Sequence, residues 1–150
     1  MDRFLGDTLL DRYGSIIKRD TNETLKNKKV IGLYFSAEYC PYCVDFTPKL
    51  IEFYNSVSSE EPSIDIVFIS SDPDEKSFYK YFNKMPWLAV PHERRDIKEE
   101  LVKRFEFKTI PQLIFVNEEM KVIVKNGRKL IADNLHNKAF IYEALELSKY

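Results

Sequence analysis

Cysteine and histidine are scarce in this chain, and their scarcity limits the chemistry that the protein can perform. Its 150 residues include two cysteines, Cys40 and Cys43, and two histidines, His92 and His136. A closed zinc site needs four ligands, and the two histidines do not have the spacing of a ligand pair. We therefore predict no metal site, and we expect thiol chemistry only around Cys40 and Cys43.

An excess of charge of one sign is also missing, as are long apolar runs. The net charge of −1 gives no electrostatic reason to expect nucleic acid or an anionic membrane as a partner. No apolar run approaches the roughly 18 residues of a membrane-spanning helix, and residues 1–6 lack the apolar stretch of a secretory signal. A C-x-x-C pair in this context is typical of a reducing compartment. We expect a cytoplasmic protein, with the nucleus as an alternative location.

The bulk composition is that of a water-soluble globular domain. Apolar residues make up 44% of the chain and charged residues 31%, and a chain of this length buries about two-thirds of its unfolded surface. We expect one domain over residues 1–150, acting as a monomer. Residues 1–29 form an N-terminal extension in this interpretation, with short strands at residues 9–10 and 16–17 around a turn at Tyr13-Gly14.

The rest of the chain is organised around Tyr39-Cys40-Pro41-Tyr42-Cys43. An apolar strand precedes this segment at residues 30–35, and a helical pattern follows it over residues 44–57. Cys40 then lies near the helix cap, where the unpaired amides favour a thiolate, and Pro41 lies near the first helical position. Cysteines three apart share one helix face and close a disulfide after a small rotation. Thiols in such positions have pKa values lowered into the range of roughly 3.5–7.5.

A redox-active dithiol has to be weighed against two simpler interpretations. The pair could be half of a zinc site, which the lack of further ligands opposes, or two inert buried thiols. A cap position followed by proline opposes the second interpretation, because inert cysteines do not need a helix start. We favour the redox-active pair.

Further along the chain, strands and helices alternate. Residues 64–69 read as a second buried strand, and Asp72, Pro73 and Glu75 as the start of a helix that carries Phe78 and Phe82. Residues 85–91 are apolar but framed by prolines, which indicates an ordered loop whose Trp87 is either a core residue or an exposed rim of a substrate groove. A second capping box at Asp96 and Glu99 begins the next helix.

The C-terminal part predicts an antiparallel hairpin and a final helix. Two short strands at residues 113–116 and 122–124 are joined by polar residues. Asn126-Gly127 reads as a turn, and the last helix runs over residues 135–148, with Phe140 on its apolar face. The order of elements gives an α/β fold with a central mixed sheet, parallel strands plus the C-terminal hairpin, flanked by helices.

Several segments together resemble the nucleoredoxin and tryparedoxin branch of the thioredoxin superfamily, over about residues 30–130. They are Val30-Ile31-Gly32-Leu33-Tyr34-Phe35-Ser36-Ala37 with C-P-x-C and Phe46-Thr47-Pro48-Lys49-Leu50 after it, Phe68-Ile69-Ser70-Ser71-Asp72, Lys84-Met85-Pro86-Trp87-Leu88-Ala89-Val90-Pro91, Thr109-Ile110-Pro111 and Asn126-Gly127-Arg128. The resemblance implies a thioredoxin fold and thiol–disulfide exchange.

The resemblance also assigns roles to individual residues. Cys40 is implied as the attacking thiolate and Cys43 as the resolving thiol. Pro111 is implied as a cis-proline that faces the dithiol and leaves the Ile110 backbone free to pair with an extended substrate. Around these residues we expect active-site support from Pro41 and a substrate rim from Tyr39, Tyr42 and Trp87.

The chain departs from this branch at several positions. Tyr39 and Tyr42 replace a tryptophan and a proline, and Val44 replaces an arginine whose charge would acidify the thiol. Tyr34 stands where the wider superfamily often has a buried aspartate, although the tryparedoxin branch also tends to have a tyrosine there, and a buried tyrosine is a poor base near neutral pH. Cys40-Pro41-Tyr42-Cys43 is itself the dithiol motif of glutaredoxins, although no glutaredoxin glycine pair follows Pro111.

These observations leave three functional hypotheses. The first is a reductase of protein disulfides, with thiol peroxidases among its targets and a reductase or a low-molecular-weight thiol as electron donor. The second is a glutaredoxin-like enzyme that uses glutathione, and the third is a redox-sensing binding module with little turnover. None needs a cofactor beyond the Cys40–Cys43 redox couple, with a dithiol or glutathione as co-substrate.

Overall fold

The computed structural model describes residues 1–147 and consists of seven strands and seven helices within that range. They are α1 (Asp2–Leu5), β1 (Thr8–Tyr13), β2 (Ser15–Asp20), α2 (Thr21–Leu25), β3 (Val30–Ser36), α3 (Pro41–Val57), β4 (Ile64–Ser70), α4 (Glu75–Phe82), β5 (Leu88–Ala89), α5 (Arg95–Phe105), β6 (Gln112–Val116), β7 (Val122–Val124), α6 (Gly127–Asp133) and α7 (Lys138–Ala144).

The seven strands form one mixed sheet in the order β2-β1-β5-β4-β3-β6-β7. The central strands β3, β4 and β5 are parallel, and the strands on both sides of them pair antiparallel. Tyr34 on β3 lies between Phe68 on β4 and Leu113 on β6. This arrangement confirms the predicted α/β fold, including the C-terminal hairpin.

Both faces of the sheet are covered, as the unbroken apolar runs predicted. Every residue of β3 and of β4 is buried. Because side chains alternate along a strand, Tyr34 and Phe68 belong to the core on one face, whereas Leu33 and Val67 belong to the core on the other. The first core packs against α3, α4, α6 and α7, and the second against α1 and α5.

The N-terminal segment is more ordered than the sequence suggested. The two short strands around Gly14 are present and extend to six residues each. The polar residues after them, which the sequence indicated as a turn or loop, include helix α2, capped by the Asp20 side chain on the Glu23 amide. Strand β1 pairs with β5 and so joins this segment to the central sheet.

Several sequence-based expectations about individual residues were wrong. Helix α5 begins at Arg95, with Arg94 as its N-cap and no side-chain cap, and not with a capping box at Asp96 and Glu99. The loop predicted over residues 85–91 contains the two-residue strand β5, which is too short to give a periodic signal. Helix α4 is capped by Asp74, not Asp72, because the carboxylate of Asp72 accepts from the Glu38 amide and the Ser70 hydroxyl instead. Phe140, expected on a buried helix face, is 51% exposed.

The final helix, predicted over residues 135–148, is the shorter α7 in the structure, and the turn predicted at Asn126-Gly127 begins an additional helix, α6. Asn126 caps α6 and Asn137 caps α7, each through its side-chain oxygen, and the predicted end at Ser148 lies outside the described residues. Gly127 begins α6 against β6, where a Cβ atom would come within 2.6 Å of the Leu113 carbonyl oxygen. Only glycine allows this approach. Within residues 1–147, no helix has both the length and the apolar character for crossing a membrane.

Candidate active site

The two thiols lie at the junction that the sequence predicted, between the end of β3 and the start of α3. Cys40 is the N-cap residue of α3 and Pro41 its first helical residue, and the Val44 amide donates to the Cys40 carbonyl oxygen at 3.0 Å. Both cysteines are free thiols, Cys40 half-buried and Cys43 fully buried. The geometry therefore presents one thiol to a partner and holds the other behind it.

The loop before β6 brings a second segment of chain to Cys40. The Ile110–Pro111 peptide bond is cis, which confirms the prediction. The Cys40 thiol donates to the Ile110 carbonyl oxygen at 3.7 Å. Pro111 is buried and Ile110 half-buried, so that the backbone of Ile110 borders the reactive thiol.

Exposed side chains surround Cys40 on the α3 side. Tyr39 is 64% exposed, Tyr42 68% and Val44 49%. The guanidinium carbon of Arg128 lies 5.9 Å from the Tyr42 ring centroid, within the range of a cation–π contact. These groups form a mostly apolar and aromatic surface at the reactive thiol.

Trp87 does not belong to this surface, and the expectation that it lines a substrate rim was wrong. The side chain is 1% exposed and packs edge-to-face on Tyr34, at 6.0 Å between ring centroids, and on Tyr54, at 5.6 Å. Its sequence context gave no means of separating a core tryptophan from an exposed one. The core alternative that the sequence left open is the correct one.

A buried carboxylate connects the loop that carries Cys40 to the loop after β4. The Glu38 amide donates to Asp72 Oδ1 at 2.8 Å, and the Ser70 hydroxyl donates to Asp72 Oδ2 at 2.6 Å. His92 is buried and bonds through Nε2 to the Asp72 carbonyl oxygen at 2.8 Å. These contacts fix the chain two residues before Cys40.

The Cys43 thiol lies beside a group of buried hydroxyls. Burial raises the pKa of Cys43 to about 11, while the nearby Ser36 side chain acts in the opposite direction. Burial also raises the pKa of Tyr34 far above its ordinary value, so this tyrosine is unsuited to accept the Cys43 proton. Its hydroxyl instead bonds to Thr47.

Several of these residues were not selected from the sequence. Three of them, Ser36, Thr47 and Tyr81, belong with Tyr34 to the group of hydrogen-bonded buried hydroxyls. The fourth is Arg128, whose guanidinium lies over the exposed Tyr42 ring. Thr47 follows Cys43 by four residues and thus lies on its helix face, which is the one signal that could have found it. No group of three or more metal-ligating side chains occurs among residues 1–147.

The fold and the paired cysteines at the start of α3 are those of a thioredoxin-like domain. Residues 27–122 match the family model described as Thioredoxin-like, and the chain belongs to this family. Within it the chain is similar to nucleoredoxins and tryparedoxins, as three comparisons show.

The relatives differ in how much of their length the chain spans. Probable nucleoredoxin 1 of Arabidopsis thaliana is 45% identical over 121 residues, which are 81% of this chain and 20% of that protein. Tryparedoxin of Trypanosoma brucei brucei is 43% identical over 96 residues, 64% of this chain and 66% of that protein. The structure of tryparedoxin II complexed with glutathionylspermidine superposes with a TM-score of 0.80 at 32% identity, covering 89% of this chain and 90% of that one. The chain thus spans about a fifth of the plant nucleoredoxin and most of a tryparedoxin.

Proposed function

We propose that this protein reduces disulfides in other proteins by thiol–disulfide exchange through Cys40 and Cys43. The observation that carries the proposal is the unequal exposure of the two thiols. Cys40 is accessible at the helix start and borders the backbone of Ile110, whereas Cys43 is buried one turn further along α3. An accessible attacking thiol and a protected resolving thiol are what a two-step exchange requires.

The first step joins the enzyme to its substrate. The Cys40 thiolate attacks one sulfur of the substrate disulfide, a Cys40–substrate bond forms, and the electron pair leaves on the second substrate sulfur, which takes up a proton. The Ile110 carbonyl oxygen and the exposed Tyr39 and Tyr42 lie where an extended substrate segment would pass. The backbone of such a segment pairs with free backbone groups, as in strand addition.

The second step releases the substrate. The Cys43 sulfur attacks Cys40, the internal disulfide forms, and the Cys40–substrate bond breaks with its electron pair on the substrate sulfur. That sulfur receives the proton that Cys43 gives up, so one disulfide is exchanged for another and no cofactor is consumed. A reductase or a low-molecular-weight thiol then returns Cys40 and Cys43 to the dithiol state.

The donor and the target class form part of the same proposal. A similar tryparedoxin carries glutathionylspermidine in its complex, which supports a small thiol as donor, and thiol peroxidases are a plausible target class for a tryparedoxin-like fold. We further propose that the protein acts as a monomer in the cytoplasm or nucleus, where thiols stay reduced.

The test is the reduction of insulin disulfides by dithiothreitol with wild-type protein and with Cys40→Ser. We expect acceleration by the wild type and none by the variant, because the attacking sulfur is lost. Cys43→Ser is the matched control, since it keeps that sulfur and should accumulate mixed disulfides on non-reducing gels. Failure of the wild type to accelerate reduction would contradict the proposal.

One specific observation favours a second function, which is glutaredoxin-like reduction of glutathionylated proteins. Cys40-Pro41-Tyr42-Cys43 is the glutaredoxin dithiol motif, and in that mechanism Cys40 alone suffices. Cys43→Ser would then retain deglutathionylation with glutathione as reductant, instead of trapping protein targets. A binding module without turnover would show neither activity. Its binding to a partner would instead depend on the redox state of Cys40.

A further inference from the structure

A cavity of about 670 Å³ lies at the end of the sheet where β4 begins, remote from the dithiol. Strand β5 pairs with β1 at Ala89 and with β4 at Leu88 and Ala89. Both neighbouring strands continue past these pairs, to Tyr13 and to Ile64, whereas β5 begins only at Leu88. The sheet therefore has a notch between β1 and β4. We call it the β5 cavity, and its wall includes Asp11, Arg12, Asp65, Pro86, Trp87 and Leu88.

Two buried N–H groups in the wall of the β5 cavity have no hydrogen-bond partner. They are Arg12 Nε and Trp87 Nε1, and among the described residues only Glu38 Oε2 shares this condition. A terminal nitrogen of Arg12 donates to the Asn83 carbonyl oxygen, but Nε stays unpaired. Buried polar groups are nearly always paired, and an unpaired one costs free energy. Because both groups are donors, what they lack is an acceptor oxygen.

The register of β1 against β5 places the two donors close together. Leu10 pairs antiparallel with Ala89, and the same register two residues further on sets Arg12 across from Trp87. Residues two apart in a strand share a face, and directly opposite residues have Cβ atoms about 4.5–5.5 Å apart. The guanidinium carbon of Arg12 lies 5.8 Å from the Phe82 ring centroid, in the core that also contains Trp87. Both donors are therefore within reach of one small ligand.

The charges of the wall indicate what kind of ligand fits. Three cations line the β5 cavity, and two of them have a carboxylate partner. Arg19 Nε lies 2.7 Å from Asp11 Oδ2, and Lys28 Nζ lies 3.6 Å from Asp65 Oδ2. Arg12 forms no ion pair with any described residue. One unpaired positive charge suits a singly charged anion, and the carboxylates on the same wall disfavour a second negative charge.

We propose that the β5 cavity binds a small organic carboxylate whose oxygens accept hydrogen bonds from Arg12 Nε and Trp87 Nε1. The apolar body of the ligand lies against Pro86 and Leu88, which belong to the same wall. The cavity volume falls within the range of about 300–1,000 Å³ that small-molecule sites occupy. Because this site is separate from the dithiol, the proposal does not depend on the exchange reaction.

The single tryptophan of the chain gives a direct readout of binding. Trp87 is the one tryptophan in the sequence, so the indole N–H region of a proton–nitrogen NMR spectrum contains one signal, from the group that the proposal engages. Benzoate is the probe, and it should move the indole proton downfield in a saturable manner at millimolar concentrations. Benzylamine has a similar ring and the opposite charge, and it should leave the signal nearly unchanged.

Two substitutions test the role of the unpaired cation. Arg12→Gln removes its charge and should weaken benzoate binding by about tenfold or more, as expected for the loss of a charged hydrogen bond. Arg19→Gln is the matched control, because it removes a cation of the same wall that is already paired with Asp11. Its effect on the affinity for benzoate should be much smaller.

Saturable binding of benzoate that Arg12→Gln weakens and Arg19→Gln largely retains supports the proposal. An indole signal that benzoate does not move, an equal response to benzylamine, or equal affinities in the two variants overturns it. Circular dichroism checks that both variants fold. If Arg12→Gln does not fold, the wild-type titrations decide, because any result other than a response to benzoate without one to benzylamine overturns the proposal. The insulin assay plays no part in these titrations, so the two tests can fail separately.

Discussion

The two faces of the central sheet are equally buried but differ in chemistry. On the face that packs against α3 and α4, aromatic rings predominate, with Phe68 stacked on Phe78 at 5.7 Å and edge-to-face with Tyr81 at 5.5 Å. The side-chain hydroxyls of Tyr34, Ser36, Thr47 and Tyr81 are hydrogen-bonded to one another among these rings. On the face that packs against α5, the core consists mainly of leucine, isoleucine and valine, with Leu33 and Ile114 near its centre.

The difference shows that one face of the sheet can be fully buried and still hold polar groups close to the candidate active site. The aliphatic face gains stability from burial alone, which is non-directional. The aromatic face packs near the Cys43 thiol and must pair each buried hydroxyl, because an unpaired hydroxyl costs free energy. Directional bonds on that face restrict which substitutions it tolerates.

The largest expected effect comes from the centre of the aromatic face. Phe68→Ala should lower the free energy of unfolding by about 3–5 kcal/mol, because it leaves a cavity among stacked rings. Phe140→Ala is the control, since that ring is half exposed, and it should change stability by no more than about 0.5 kcal/mol. Urea unfolding followed by circular dichroism measures both. Equal losses of unfolding free energy would show that the stacked rings add no stability beyond that of a half-exposed ring.

A smaller effect should separate directional bonding from burial. Thr47→Val keeps the shape of the side chain but leaves the Tyr34 and Tyr81 hydroxyls without their acceptor, so we expect a loss of about 1–3 kcal/mol. On the aliphatic face, Ile114→Val deletes a methylene and should cost about 0.5–1.5 kcal/mol. Urea unfolding measures both losses of unfolding free energy. A smaller loss for Thr47→Val than for Ile114→Val would contradict the contrast between the two faces.

The smallest effect concerns Asp65, at the end of β4 remote from the dithiol. Burial raises the pKa of Asp65, against a hydrogen bond from the Ile66 amide, the charge of Lys28 and a hydrogen bond from Tyr54. The folded state therefore binds this proton more tightly than the unfolded state does. Stability should fall as pH rises from the ordinary aspartate pKa to the raised one, and then stay constant.

Asp65→Asn is the matching variant, because the amide does not titrate. The difference in unfolding free energy between wild type and variant, measured in urea at a series of pH values, should shift against the wild type as pH rises through that window. A shift in favour of the wild type would mean that Lys28 and Tyr54 outweigh the burial of the carboxylate.

Much of the fold was predictable because it depends on patterns that extend over many residues. The buried strands β3 and β4, the helix start at Pro41 and the hairpin of β6 and β7 all follow from apolar runs, proline placement and spacing. Strand β5 was not predictable, since two residues carry no period. The cap of α4 was misplaced because two aspartates compete for it, and the outcome depends on the hydrogen bonds of Asp72 with the Glu38 amide and the Ser70 hydroxyl.

Only part of the candidate site was predictable from the sequence. The dithiol and the cis-proline loop follow from local motifs and a resemblance, so Cys40, Cys43 and Pro111 were identified. The burial of Trp87 and the bonds of Ser36 and Tyr81 depend on how distant segments pack, and no local pattern encodes that. Packing, not motif, determines which polar groups meet.

The contact between Cys40 and the Ile110 carbonyl joins residues that are 70 positions apart. During synthesis, the segment with both thiols leaves the ribosome well before residues 110 and 111, and β6 completes its pairing with β3 later still. Contacts of such separation are slow to form, and domains fold as units behind the emerging chain. A nascent chain therefore contains Cys40 and Cys43 before the Ile110–Pro111 segment can reach them.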